Sequence, residues 1–245
     1  MPSAIVVGRG RMGSLIKQTL TDHSFDVIGS YGAQNCAELD TEAPAADVVI
    51  DFSNACALPH VLAYVTRTGA ALVSGTTGYD ESDLVELRSL GEKTRVVYSA
   101  NYSLGIAVLR RAAMQAARAL FEWDIEIVET HHNQKADAPS GTAKLLLHAI
   151  DPEGDERVVN GRVGMIGPRP KGEIGMHALR GGTVAGTHEV HFFGQDEELC
   201  FAHRANSRQI FVNGAVACAQ RILACKNGFY TFDQLLLQEE EGSFE

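Results

Sequence analysis

Long apolar runs are missing from this 245-residue sequence. None approaches the roughly 18–20 residues of a spanning helix, so no membrane segment is expected. The first ten residues, MPSAIVVGRG, read as a buried strand running into a glycine turn. They lack the basic start and longer apolar core of a signal peptide. Basic charge is also short: 21 Lys and Arg stand against 31 Asp and Glu, a formal net charge of −10. That argues against a non-specific grip on nucleic acid, though a local basic pocket for a small anion stays open. Cysteine is sparse. Cys36, Cys56, Cys200, Cys218 and Cys225 are odd in number and show no CxxC spacing, which argues against a disulfide framework or a structural zinc site. Cys218 and Cys225, seven apart in a helix-like stretch, read as packing residues. No metal is expected, and the cytoplasm is the plain compartment.

What is present is alternation. The β-branched run at 4–7 leads into Gly8-Arg-Gly-Arg-Met-Gly13 and then a helix with Leu15, Ile16 and Leu20 inward. Strands follow at 25–29, 48–52, 71–74 and 95–99, separated by helices at 57–68 and 81–90. Such spacing predicts an α/β fold with a doubly wound parallel sheet, of Rossmann type, over residues 1–102. The texture then changes. A long alanine-rich helix at 106–121 is followed by the strand 124–128, and residues 154–204 are rich in glycine and strand-like segments. A second, α+β domain with a mixed sheet is expected over 103–212, with the segment 213–245 packing back on the first. A final helix over 209–225 stops at Asn227-Gly228, and the tail from 229, ending QEEEGSFE, reads as a solvated end.

Gly8-x-Gly10-x-x-Gly13, after a strand and before a helix, fits a dinucleotide turn: tight bend, close backbone approach to pyrophosphate, close helix packing. The helix start supplies N–H donors and a positive dipole. An acidic residue to hold the adenosine ribose is expected about 20 positions on, yet the second strand ends Ile28-Gly29-Ser30-Tyr31. Arg9 and Arg11 are the nearest cations. Gly75-Thr-Thr-Gly78 and Ser99-Ala-Asn-Tyr102 follow later strands, where ligands gather in this architecture. In Glu129-Thr-His-His-Asn-Gln-Lys-Ala-Asp-Ala-Pro-Ser-Gly-Thr-Ala143, His131 and His132 end a strand and point to opposite faces, a poor metal pair. Ser140 is not in a nucleophile elbow. Ser140, Gly141 and Thr142 start a helix that suits an anion, with Lys135 and Lys144 close in sequence. Histidine, lysine and an anion-binding helix end together suit a carboxylate substrate that must be protonated. His188, His191, His203, Arg204 and Arg208 read as structural or solvent-facing.

GRGRMG, VIDFS, GTTGY, SANYSLG, LRGGTVAGTHEVHF, HRANSRQIFVNGAV and above all ETHHNQKADAPSGTA resemble the dihydrodipicolinate reductase family from end to end. The resemblance implies reduction of 4-hydroxy-tetrahydrodipicolinate with NADH or NADPH, loss of water, and a place on the diaminopimelate route to lysine. It implies a homotetramer assembled through the second domain's sheet. It makes His131 the acid/base residue and Lys135 the proton donor. His132 becomes a substrate contact, and Gly141 and Thr142, beside Ser140, the holders of a substrate carboxylate. Gly8, Arg9, Gly10, Arg11, Met12 and Gly13 match cofactor positions, as do Gly75, Thr76, Thr77, Ser99, Ala100, Asn101 and Tyr102. The missing acidic residue after the second strand leaves NADH against NADPH open. Two other readings remain: a different nicotinamide dehydrogenase acting on another small acid, and a catalytically silent dinucleotide sensor. The joint presence of His131, Lys135 and Ser140–Thr142 argues against both.

Overall fold

The computed structural model describes residues 1–237, and the acidic end of the tail lies outside them. The chain divides into two compact units, Met1–Leu104 with the chain from Gln209 onward, and Gly105–Arg208.

The first unit is built on a six-stranded parallel sheet. Its strands are β1 (Ser3–Val7), β2 (Asp26–Tyr31), β3 (Val48–Asp51), β4 (Ala71–Ser74), β5 (Arg95–Tyr98) and β11 (Gly228–Thr231), in the order β11-β5-β4-β3-β1-β2. Strands β1, β3 and β4 are apolar on both faces and almost wholly buried, as a parallel sheet covered on two sides requires. Helices α1 (Arg11–Asp22), α2 (Glu38–Thr41), α3 (Leu58–Thr68) and α4 (Glu81–Leu90) connect them. Helix α3 has Pro59 in its first turn and left-handed Gly69 at its end; α4 starts with a capping box between Asp80 and Asp83. Ile5, Val7, Leu39, Val49, Val61, Tyr64, Leu72, Leu87 and Val96 form one buried cluster.

The end of the chain departs from the sequence expectation. Helix α7 (Gln209–Ile222) stops before Cys225, and residues 228–236 are not a solvated tail. They form the edge strand β11 and helix α8 (Phe232–Leu236), burying Phe232 and Leu235. Cys218 is buried in α7, while Cys225 lies beyond the helix and is half-buried. The acidic bias of the last residues masked the alternation Phe229-Tyr-Thr-Phe232 just before them.

The second unit holds a mixed five-stranded sheet in the order β10-β9-β6-β8-β7. These strands are β6 (Asp124–His131), β7 (Arg157–Val159), β8 (Glu173–Arg180), β9 (Gly186–Phe193) and β10 (Glu198–Ala205). β6 and β8 are parallel, whereas β9 runs antiparallel to both β6 and β10. One face packs on α5 (Leu104–Ala119) and α6 (Gly141–Ile150). There Ile106, Leu109, Ala113, Ile127, Leu146, Ile174, Met176, Val190 and Phe192 form the core. Among the described residues no helix is long and apolar enough to cross a membrane.

Candidate active site

In the first unit the chain leaves β1 through Gly8, whose φ of +112° belongs to the region glycine favours. A Cβ on Gly8 would sit 2.4 Å from the Phe52 carbonyl oxygen, and one on Gly13 would lie 1.7 Å from the Gly8 oxygen. These two glycines are required by the turn itself. Gly10 is different: a Cβ there would meet nothing within 4 Å. Its smallness answers no internal demand, but it suits a ligand that comes against the backbone. Gly10 caps α1 without a side-chain bond, and no acidic residue stands in the first turn, so the positive end of the helix is left for an anion. Beside it lies a cavity of about 560 Å³ lined by Gly8, Arg9, Gly10, Gly32, Gln34, Phe52, Ser53 and Asn54, among others. These features fit a dinucleotide's pyrophosphate and adenosine end.

Among the described residues, the only charged one lining that cavity is Arg9. Its Nη2 donates to the Ser30 carbonyl oxygen at 2.8 Å, so the guanidinium is drawn to the end of β2, where a ribose-binding carboxylate would otherwise stand. Arg11 is exposed at the helix start, and Met12 is half-buried. Gly32–Gln34 and Phe52–Asn54 were not assigned to the site from the sequence, although VIDFS is among the runs that carry the resemblance. The run VIDFSN at the end of a buried strand was the signal for the second group.

Gly75–Thr77 and Ser99–Tyr102 follow β4 and β5 but do not line this cavity. Their side chains do other things. Thr76 is buried and donates to Asp51 Oδ2 at 2.8 Å while accepting from the Ser53 amide at 2.9 Å. Asp51 also accepts from Ser53 Oγ (2.5 Å) and the Tyr79 hydroxyl (3.0 Å). Burial pushes the Asp51 carboxyl up, against these bonds, which favour its ionised form. Asp51 thereby ties the turn after β3 to the turn after β4. Tyr102 is buried, donates to the Ser74 carbonyl at 2.7 Å, and packs its ring on Phe52 and Phe232. Ser99 Oγ donates to the Asn101 carbonyl at 2.7 Å, which rigidifies that turn.

In the second unit the apolar face of the sheet turns polar toward the end of β6. Ile127, Glu129 and His131 share this face by strand alternation. Sheet register places Arg180 beside His131 and His188 beside Glu129. Glu129 is completely buried. It accepts from His131 Nδ1 (2.5 Å), from Arg180 Nη1 and Nη2 (2.9 Å each) and from the Ser140 amide (3.0 Å). Burial would raise its pKa, but these partners outweigh it and hold the carboxyl below the usual range. Burial pushes the His131 imidazolium down, against the pull of Glu129, which favours the neutral ring at pH 7. With Glu129 ionised, the ring hydrogen belongs on Nδ1 and Nε2 carries the lone pair. A Cβ at Gly186 would lie 3.1 Å from Nε2, so glycine there keeps that nitrogen accessible.

His188 stacks edge-on against His131 with centroids 5.2 Å apart and shares a 3.2 Å bond between Nε2 and Ser140 Oγ. Burial holds it neutral, pushing its pKa down to about 4. Ser140 caps α6 by accepting from the Ala143 amide at 3.2 Å. Gly141 and Thr142 precede the first intrahelical bond, from Lys144 N to Ser140 O, and the position of a Cβ on Gly141 is open. Lys135 Nζ pairs with Asp137 Oδ1 at 2.7 Å. His132 follows the end of β6 and is half-buried. Sequence reasoning missed Glu129 and Arg180 as partners of His131, and set His188 aside as structural or solvent-facing. Their convergence depends on lateral register between strands about 50 residues apart.

A glycine turn aimed at an open, carboxylate-free cavity and a buried carboxylate–imidazole pair place this chain among two-domain oxidoreductases that take a nicotinamide dinucleotide. Comparison with known proteins narrows the class. Residues 3–102 match the family profile described as dihydrodipicolinate reductase, N-terminus, and residues 105–236 the one described as dihydrodipicolinate reductase, C-terminus. The chain belongs to the dihydrodipicolinate reductase family. It is 40% identical over 242 residues to the 4-hydroxy-tetrahydrodipicolinate reductase of Akkermansia muciniphila, covering 96% of this chain and 98% of the relative. It is 36% identical to the enzyme of that name from Brachyspira hyodysenteriae, over 95% of this chain and 98% of the relative. The fold is similar to that of a dipicolinate-bound dihydrodipicolinate reductase from Paenisporosarcina sp. TG-14. The TM-score is 0.77 at 20% identity, covering 97% of this chain and all of that one.

Proposed function

We propose that this chain reduces 4-hydroxy-tetrahydrodipicolinate to tetrahydrodipicolinate with loss of water, using NADH or NADPH, on the diaminopimelate route to lysine. The observation that carries the reading is the Glu129–His131 pair, joined through the Ser140 amide to the helix end that would take a substrate carboxylate. The names of the relatives and the dipicolinate held by the solved neighbour support a small dicarboxylate as substrate.

Gly8–Gly13 with the Arg9 side chain would hold the dinucleotide's phosphates and adenosine, and Gly75–Thr77 and Ser99–Tyr102 its other end. When bound, the nicotinamide supplies a hydride to C4 of the substrate ring. The amides of Gly141 and Thr142 and the dipole of α6 receive one substrate carboxylate, with His132 on the cationic side. Glu129 fixes the His131 ring and its tautomer, leaving Nε2 to exchange a proton with substrate or water. Lys135 donates a proton or neutralises developing negative charge; Asp137, 2.7 Å from Nζ, holds the ammonium in place. His188, neutral and bonded to Ser140, steadies the helix end. The finer reading is a cytoplasmic homotetramer assembled through the second unit's sheet, which sedimentation of the purified protein tests.

The experiment is a coupled assay with enzymatically generated substrate, following NADPH and NADH oxidation separately. Substrate-dependent oxidation is expected with both nucleotides. Tight nucleotide binding with no turnover would replace this reading by the silent dinucleotide sensor.

A further inference from the structure

Lys135 sits on the irregular stretch 132–139 between β6 and α6, where no strand or helix fixes the backbone. The start of that stretch is tied to the end of β8: Gly181 N donates to the His131 carbonyl at 2.9 Å, and Asn133 N to the Gly182 carbonyl at 3.2 Å. Its far end is tied to Glu129, whose Oε1 accepts from the Ser140 amide at 3.0 Å. Between these ties, one side chain reaches in. Arg180 Nη2 donates to the Asp137 carbonyl at 2.7 Å, two residues from Lys135, and also to Glu129 Oε1 at 2.9 Å. Its Nη1 donates to Glu129 Oε2 at 2.9 Å and to the Leu179 carbonyl at 2.7 Å.

An arginine beside a helix end suited to a carboxylate would ordinarily be read as one more substrate ligand. Its hydrogen bonds argue otherwise. Both terminal nitrogens already direct their N–H groups at protein oxygens, and the side chain is only 20% exposed. A planar guanidinium can serve both oxygens of a carboxylate and a carbonyl in one rigid geometry, whereas an ammonium acts as a point charge. Glu129 in turn accepts from His131, from the Arg180 fork and from the Ser140 amide, which fills the acceptor positions of a carboxylate. Lys135 is thereby left to Asp137, at 2.7 Å, instead of collapsing onto Glu129. We infer that Arg180 is a positioning residue: its fork locks the Glu129–His131 pair to the Lys135 loop and sets the spacing of the two proton-handling groups, without holding the substrate itself. Those two roles are the ones the reductase reading gives His131 and Lys135, and the assignment rests on that reading.

The test compares Arg180→Lys, which keeps the charge and loses the fork, with Arg180→Gln, which loses both, in the full-length protein in whatever assembly it adopts. Each should lower kcat by roughly 10–100-fold, the scale of an ångström-sized misplacement at a reacting centre. Inhibition by pyridine-2,6-dicarboxylate and nucleotide Kd should stay within about twofold of the parent, because ground-state binding is not what the fork supplies. The His131 titration, read by NMR, separates geometry from charge. Around that ring stand Glu129 on its own strand, Arg180 on β8, His188 on β9 and Lys135 with its partner Asp137 on the loop, and His203 on β10 reaches the group through His188. Burial lowers the His131 pKa, Glu129 raises it, and the charges of Lys135 and Arg180 lower it. Arg180→Gln removes one lowering charge, so the titration should move up; in Arg180→Lys it should stay in place. A parent that binds nucleotide and turns nothing over refutes the reductase reading, whereas a His131 titration indifferent to Arg180→Gln refutes this assignment alone. Weaker dicarboxylate inhibition in step with falling kcat would make Arg180 a substrate ligand, and a normal kcat in Arg180→Lys would make the fork dispensable. Either result overturns the inference.

Discussion

Replacing Glu129 by glutamine tests the centre of the proposed site most sharply. The carboxylate accepts from four donors: His131 Nδ1, both terminal nitrogens of Arg180, and the Ser140 amide. Glutamine keeps the shape but offers one acceptor oxygen, and its amide hydrogens must face a donor. Breaking a buried ion pair by removing one partner costs about 3–5 kcal/mol. Arg180 keeps the carbonyls of Asp137 and Leu179, each at 2.7 Å, and its side chain is 20% exposed. The lower end, about 3 kcal/mol, is therefore expected in urea unfolding. The loss should depend on pH. Glu129 titrates in the folded chain below its ordinary value of 4.5, so its contribution is present above that value and disappears as pH falls through the folded pKa. Variant and parent should converge in stability in that acid range. In the active site, removing the negative charge takes away what raises the His131 pKa, so the imidazole should titrate lower still, read by NMR. Turnover should fall roughly 10²-fold or more, within the range for losing a positioned acid or base. Nucleotide Kd should hold, since Glu129 lies in the other unit. A His131 titration that moves up, or turnover within a factor of two of the parent, would refute the argument.

Lys135→Ala should lower kcat by roughly 10²–10⁴-fold, as for loss of a proton donor, and leave nucleotide affinity unchanged; near-normal kcat in steady-state assays rejects the assignment. Arg9→Ala should weaken NADPH more than NADH, because Arg9 is, among the described residues, the one charged residue lining the cavity at the end of β2. Calorimetric Kd values for both nucleotides decide this, and equal losses would count against it. Thr142→Val should weaken inhibition by pyridine-2,6-dicarboxylate by about 0.5–3 kcal/mol, the span from neutral to charge-assisted hydrogen bonds. Ki beside nucleotide Kd separates a substrate role for Thr142 from a cofactor role, which the opposite pattern would reveal.

Much of the architecture was legible because it is written locally. Buried β-branched runs, the three-glycine turn and the capping residues each act over a few positions, so the alternation of β1 to β5 with their helices could be read directly. The apolar alternation of β6 stops at Val128, yet the strand runs on to His131, which the sequence reading also placed at a strand end; its polar end is buried against Arg180 and His188 rather than against apolar side chains. A hydropathy pattern stops at Glu129 and cannot see that partnership. The histidines themselves were visible; their partners were not. His188 meets Ser140 from 48 positions away, and Arg180 meets Glu129 from 51, distances bridged only by sheet register. Thr76 and Tyr102 show the converse. They stand where the sequence expects ligand contacts, yet their side chains serve the turns and the core.

The path of the chain has a consequence for synthesis. Strand β11 and helices α7 and α8 belong to the first unit, although about a hundred residues of the second unit are translated before them. A ribosome emitting this chain therefore delivers a five-stranded sheet whose β5 edge stays unpaired until residue 228 emerges. Domains ordinarily fold as units in the order they are made. Here the continuous second unit is complete first, and the nucleotide-binding sheet is closed last.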